Sequence, residues 1–243
     1  MINCSMNKIF KSIILFLILN FITTSVFAAT LIKSKEFKVN KYLKILLSEG
    51  EWYLVLKKGE AYYGLDLDTY SLARVQSNRV VELIFIEDFD VAGVYESLVN
   101  QAIQEIYFTN KYDGCYERPE YFLTEVIKVG SAHNCFQIGH VDIYRELYTP
   151  DDPHHGRAGV ARFKNWIEDN NIKYSQIMLW SYHSYFSRMV DGNWISVGRG
   201  VNPKIYNAPK SNYLSEETSE YHKFNIDNFP KHKKMMAKWL SIS

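Results

Sequence analysis

The stretch "RVVELIFIEDF" (residues 79–89) is dense in β-branched and aromatic side chains, a composition that predicts a central strand of a β-sheet. It follows another strand-like run, "SLARVQ" (71–76), across the short polar connection Ser77-Asn78. Two such runs joined by two polar residues are a hairpin signal. The antiparallel pair formed by these two runs is the starting point for predicting the rest of the fold.

The same pattern continues towards the N-terminus. "EWYLVL" (51–56) and "AYYGLDL" (61–67) flank the polar sequence "KKGE" (57–60), which reads as a turn. Residues 51–89 are therefore expected to form a four-stranded antiparallel meander.

Helical periodicity appears in two places further along the chain. Apolar residues recur at i, i+3, i+4 and i+7 over residues 91–106, and Asp90 is placed to cap this first helix. A second helix is expected over residues 153–169, where Asp152 is the cap and "EDNN" (168–171) ends the helix.

The remaining segments predict more strands and one further helix. Strands are expected at "YFLTEVIKVG" (121–130), "CFQIGHVDIY" (135–144), "YSQIMLWSYHSYFSRMV" (174–190) and "NWISVGRGV" (193–201). The first two flank the turn "SAHN", and the last two flank the favoured Asp-Gly turn. Residues 203–230 read as irregular and 231–241 as a C-terminal amphipathic helix. Together these elements predict an α+β fold, an antiparallel sheet of about seven or eight strands with two or three packed helices.

The N-terminal residues predict export. Lys8 and Lys11 precede an apolar run, and Val26 and Ala28 fit a small-residue cleavage site, so residues 1–28 are expected to be a signal peptide. An uncleaved anchor is the alternative. Residues 29–243 would then form a single α+β domain in a periplasm or outside the cell.

The charge balance argues against one class of partner. The chain has 28 basic and 27 acidic residues, and loss of the two N-terminal lysines leaves it close to neutral, so nucleic acid is not an expected ligand. The basic side of the C-terminal helix could contact an anionic surface, although a solvated face is the alternative. That side comprises Lys231, His232, Lys233, Lys234 and Lys238.

Two cysteines remain once the signal peptide is removed. Cys115 and Cys135 are expected to form a disulfide, because an even pair in an exported chain usually does. One alternative is a free catalytic thiol, which an oxidising compartment and the second cysteine disfavour. The other is a zinc site in which both cysteines join His133 and His140. Its spacing differs from that of zinc fingers, and neither a metal nor a cofactor is expected.

Arginine and histidine residues on strands are the candidate binding residues. Arg199 lies between two glycines, and its side chain is expected on the buried side of its strand. It should therefore pair with a carboxylate or bind an anion. Arg188 on the facing strand and Arg118 beside the first cysteine are further candidates. His183 is expected to be a hydrogen-bonded structural residue, with a relay involving Ser181 as the alternative.

No complete catalytic constellation is present in the sequence. Glu87, Asp88 and Asp90 could supply the paired carboxylates of a glycoside hydrolase, or they could cap the next helix. His154 and His155 would project about 100° apart from the first turn of a helix, so they would not converge on one metal ion.

Several short motifs resemble a group of uncharacterised exported bacterial proteins. These motifs are "CYERPE" (115–120), "HNCFQIGH" (133–140), a tryptophan-bearing helix and "VNP" (201–203) after the last long strand. The resemblance covers about residues 48–203 and implies export, a disulfide and one α+β unit, but no activity. The absence of a complete catalytic constellation and the aromatic, arginine-bearing strands favour an exported, non-enzymatic module that binds an envelope or extracellular component. The alternatives are a secreted hydrolase acting on cell-wall glycan or peptide, and an interaction protein that docks through its C-terminal helix.

Overall fold

The computed structural model describes residues 29–62, 65–90, 115, 121–129, 132–149, 158–186, 193–211 and 217–243. The strands are β1 (Thr30–Ile32), β2 (Glu36–Lys38), β3 (Lys44–Leu46), β4 (Glu51–Tyr62), β5 (Leu65–Gln76), β6 (Arg79–Asp90), β7 (Tyr121–Val129), β8 (Ala132–Asp142), β9 (Ile177–Phe186) and β10 (Asn193–Val201). The α-helices are α1 (Ile143–Tyr148), α2 (Ala158–Asp169) and α3 (Pro230–Ile242), and short 3₁₀ turns occupy Pro203–Tyr206 and Ile226–Asn228.

Eight of these strands form one antiparallel sheet in the order β1-β4-β5-β6-β10-β9-β8-β7, and β2 and β3 pair separately. The predicted α+β class is confirmed. Several predicted features lie outside the described residues: the signal peptide (1–28), the helix over 91–106, the start of the second helix with His154 and His155, Arg118 and Arg188.

The predicted four-stranded meander is wrong, because residues 51–90 form three long strands. "KKGE" (57–60) lies inside β4 instead of forming a turn. Lys57 is opposite Tyr70 of β5, and its ammonium lies 5.7 Å from the Tyr70 ring centroid. This cross-strand packing overrides the local turn preference of lysine and glycine. The Ser77-Asn78 turn is confirmed, with φ of 49° and 56°, the left-handed values of a two-residue hairpin turn.

The segment around β8 also differs from the prediction. His133 and Asn134 belong to the strand and not to a turn, since they pair with Phe186 and Tyr185 of β9. The strand ends at Asp142, whose Oδ1 accepts a hydrogen bond from the Arg145 amide at 3.1 Å. This N-cap starts α1, which the alternating sequence had not predicted.

One face of the sheet is covered by α1 and α2, and we call it the helix face. Phe163, Trp166 and Ile167 of α2 are buried there, as the stripe in the sequence predicted. They join a core with Ala73 of β5 and Met178 of β9. After α2, Asn171 has a φ of 50°, so the predicted left-handed asparagine is confirmed.

Two separate layers cover the opposite face. Residues 36–50, the N-terminal cover, pack Val39 and Leu47 on the half formed by β4, β5 and β6. Residues 203–211 and 217–243, the C-terminal cover, pack Tyr221 and Trp239 on the half formed by β8, β9 and β10. The covers lie over neighbouring halves of the sheet, and the boundary between these halves, which we call the seam, runs between β6 and β10. This seam positions the candidate site.

The C-terminal helix is confirmed, with one correction to its basic side. Met235, Met236 and Trp239 are buried in α3, and His232 is buried with them at 7% exposure. Its ring packs edge-to-face on Tyr221, with the centroids 4.9 Å apart, so it does not belong to the basic side as predicted. No helix among the described residues combines the length and apolar character needed to cross a membrane.

The two glycines of "GRG" (198–200) make room for an indole ring. Trp180 of β9 lies across β10 on the helix face, and a Cβ added to Gly198 or Gly200 would meet its ring at 2.3 or 3.1 Å. Arg199 between them points to the opposite face. The sequence pattern therefore reflects close packing on one face and an ionic contact on the other.

Gly198→Ala is expected to lower the free energy of unfolding by about 1–3 kcal/mol, because the new methyl group would overlap Cζ2 of the packed Trp180 ring. Urea denaturation of the purified protein measures this loss. Gly159→Ala in α2 is the matched control, since its Cβ would meet Ser71 Oγ at 3.3 Å and alanine favours the helix. An equal loss in both variants would contradict the role assigned to Trp180.

Candidate anion-binding site

Glu82 is the centre of the polar cluster at the seam. It lies on β6, opposite Arg74 of β5 and Val201 of β10, and its side chain is only 2% exposed. Oε1 accepts from Arg74 Nη2 at 2.5 Å and from Ser48 Oγ at 2.9 Å. Oε2 accepts from Arg199 Nη2 at 3.1 Å. One buried carboxylate therefore holds two arginines and a hydroxyl group.

Both covers contribute to the environment of the two guanidinium groups. Arg74 Nη1 donates to the carbonyl oxygen of Glu49 in the N-terminal cover at 3.2 Å. The Arg199 guanidinium lies 5.4 Å from the ring centroid of Trp239 in the C-terminal cover, within cation–π range. Burial, followed by the charge of Glu82, raises the pKa of the nearby Tyr206 hydroxyl, although Arg199 and Arg74 oppose this shift.

The cluster has more positive charge and more donors than its own acceptors satisfy. Two guanidinium groups share one carboxylate, so one positive charge is left without a counter-charge among these residues. Within the described part of the chain, three buried N–H groups also have no acceptor: Arg74 Nε, Arg199 Nε and Trp239 Nε1. Because all three atoms can only donate, they require an acceptor, and a carboxylate or a phosphate would also supply the missing negative charge.

Of the predicted candidates, Arg199 belongs to this cluster and His183 does not. His183 is an exposed residue of β9, opposite Val197, and its Nε2 lies 2.7 Å from Asn134 Oδ1. Its ring packs edge-to-face on Phe136, and the resulting loss of water lowers its pKa. The prediction of a hydrogen-bonded structural histidine therefore agrees with the position of His183.

The predicted disulfide between Cys115 and Cys135 is confirmed. Both residues are buried, and their Cα atoms are 6.0 Å apart. The bond ties a residue distant in sequence to β8 near the outer end of the sheet. It also overturns the alternative zinc site, because bonded sulfurs cannot serve as thiolate ligands.

A second polar cluster lies on the helix face, beside the disulfide. Ser184 Oγ accepts from Trp194 Nε1 at 2.9 Å and lies 3.0 Å from His133 Nε2. Burial lowers the pKa of His133 to about 4, with a smaller effect of Lys128, so the imidazole in this contact is neutral at pH 7. Ser184 has no exposed surface, which assigns the cluster a packing role.

Of the acidic residues proposed as a catalytic group, Asp88 makes a structural contact. Asp88 is buried and accepts from Asn40 Nδ2 of the N-terminal cover at 2.7 Å. The side chain of Asp90 lies outside the description. Asp88 thus fastens the N-terminal cover to β6, a contact that the sequence did not predict.

Glu82 and Arg74 were missed as partners of Arg199, although the sequence carries a signal for both. Each stands within a largely apolar run of its strand, in "RVVELIFI" (79–86) and "SLARVQ" (71–76). A charged residue in such a position must be paired or ligated. That signal indicates a buried ionic contact, but it does not identify the partners.

Comparisons of this chain with protein-family models, with curated proteins and with solved structures gave no match. The functional argument therefore depends on the site's own geometry.

Proposed function

We propose that this protein is an exported, disulfide-containing binding module that takes an anionic group of an envelope or extracellular component at the Arg74–Glu82–Arg199 cluster. The observation that carries the proposal is the surplus of donors and positive charge around Glu82. Export rests on the N-terminal residue pattern and is compatible with the disulfide, since disulfides persist in oxidising compartments.

The partial exposure of the two arginines favours a ligand-binding role over a purely structural ion pair. Arg199 is 29% exposed and Arg74 is 13% exposed, so a ligand group could approach the arginines from the seam while Glu82 stays buried. Glu82 orients both guanidinium groups in advance, which reduces the entropy lost when an anion binds. Planar guanidinium groups favour carboxylates and phosphates because their N–H donors match these anions.

The test is a titration of the isotope-labelled protein with inorganic phosphate and, separately, with acetate. We expect the NMR signals of the Arg74 and Arg199 Nε–H groups to shift on binding. Arg199→Gln should weaken binding about tenfold or more, the cost of one charge-assisted hydrogen bond. The variant should still fold, because Arg74 and Glu82 remain a balanced pair.

Arg79→Gln is the matched control, since Arg79 is also partly buried but donates to the Tyr174 carbonyl oxygen at 2.9 Å, away from Glu82. It should bind both anions as the unmodified protein does. Unshifted Nε–H signals with either anion, or equal binding by the Arg199→Gln protein, would refute the proposed site.

The hydrolase alternative receives no comparable support from the described residues. Its candidate histidine is hydrogen-bonded to Asn134, and Asp88 is hydrogen-bonded to Asn40. Neither contact orients a nucleophile or a general acid. The geometry therefore favours the binding module.

A further inference from the structure

Exposed lysines follow the outer side of the C-terminal cover. Lys231, Lys233, Lys234 and Lys238 of α3 are exposed, whereas the apolar stripe of the helix faces the sheet. Asp227 is the one acidic residue from position 221 to the end of the chain, and it pairs with Lys233 at 2.7 Å. Glu217 of the same cover is also exposed, but the exposed lysines outnumber these two acids, so the exposed charge of the C-terminal cover is net positive.

Two phenylalanines that precede α3 in the chain are also exposed. Phe224 is 73% exposed and Phe229, which directly precedes α3, is 38% exposed. The main chain around Phe224 is well fixed, because the His222 carbonyl oxygen accepts from the amides of Asn225 and Ile226 at 2.9 Å each. Ile226 is buried in the core under the cover. The exposed ring of Phe224 is thus presented by an ordered turn.

We infer that this side of the C-terminal cover docks on an anionic lipid bilayer, with Phe224 and Phe229 entering the interface and the α3 lysines contacting lipid phosphates. Charge complementarity supports this occupant, and the aromatic rings suit the boundary between headgroups and acyl chains. A soluble polyanion would leave the two rings without a role. A second copy of the chain would bring like charges together. This surface is separate from the Glu82 cluster.

Co-sedimentation of the purified protein with lipid vesicles tests the inference. We expect binding to vesicles of equal parts phosphatidylcholine and phosphatidylglycerol, and little binding to phosphatidylcholine alone. The triple variant Lys231→Gln, Lys234→Gln, Lys238→Gln should bind about a hundredfold more weakly, since each lysine near an anionic surface contributes about fivefold. Phe224→Ala should also weaken binding, and that loss should persist at high salt.

Matched controls come from the N-terminal cover and the residues before it. Lys33→Gln, Lys35→Gln, Lys38→Gln removes the same charge elsewhere, and Leu46→Ala removes a side chain that is 77% exposed. Both should bind the vesicles like the unmodified protein. Equal losses in the control and α3 triple variants, equal binding to neutral vesicles, or binding only to a soluble polyanion such as heparin would overturn it.

Discussion

Glu82→Gln is expected to lower the free energy of unfolding by about 3–5 kcal/mol, because two largely buried guanidinium groups would lose their counter-charge. Glutamine keeps the shape of the side chain and can still accept hydrogen bonds, so the loss would report on charge and not on packing. Chemical denaturation at neutral pH measures it. The seam is expected to loosen first, since Glu82 also accepts a hydrogen bond from Ser48 in the N-terminal cover.

Glu36→Gln is the matched control for this prediction. Glu36 pairs with Lys44 at 3.2 Å between β2 and β3, but both side chains are about half exposed. Exposed pairs contribute about 0–1 kcal/mol, so this variant should be nearly as stable as the unmodified protein. A third protein, with Arg74→Met, Glu82→Leu and Arg199→Met together, should recover stability if the loss comes from uncompensated charge. Similar stability of the Glu82→Gln and Glu36→Gln proteins would show that Glu82 does not hold the seam.

Replacing both Cys115 and Cys135 by serine is expected to lower the free energy of unfolding by about 3 kcal/mol. The disulfide joins residues 20 positions apart, and opening a loop of that length restores conformational entropy to the unfolded chain. Burial of both cysteines adds to the cost, because each buried serine hydroxyl group would need a hydrogen-bond partner. Denaturant titrations of the two proteins, compared at the same temperature, measure the difference.

A reductant provides the control for the disulfide. Dithiothreitol should destabilise the unmodified protein and leave the double serine variant unchanged. If dithiothreitol destabilised both proteins equally, its effect would not come from the disulfide. If it did not change the stability of the unmodified protein even when that protein is partly unfolded, the result would argue against the disulfide. The two outcomes separate loss of the cross-link from a general effect of reducing conditions.

Short-range features were predictable because their causes lie within a few residues. The turn at Ser77-Asn78, the apolar stripe of α2 and the amphipathic α3 each depend on local spacing, and each was found close to its predicted bounds. Local preference failed where cross-strand contacts were stronger. "KKGE" reads as a turn in isolation, yet pairing with β5 keeps it extended.

Identifying the candidate site required both the sequence and the tertiary structure. The sequence alone predicted that the Arg199 side chain lies on a buried side of its strand, because side chains alternate between the two faces of a sheet. It also predicted that the two cysteines pair, because their number is even. The tertiary structure decided that Glu82, 117 positions away, is the partner of Arg199, and that both covers contribute contacts to this cluster. Strand order and register set that contact by placing β10 beside β6, and these arise from the packing of the whole sheet and not from any one segment.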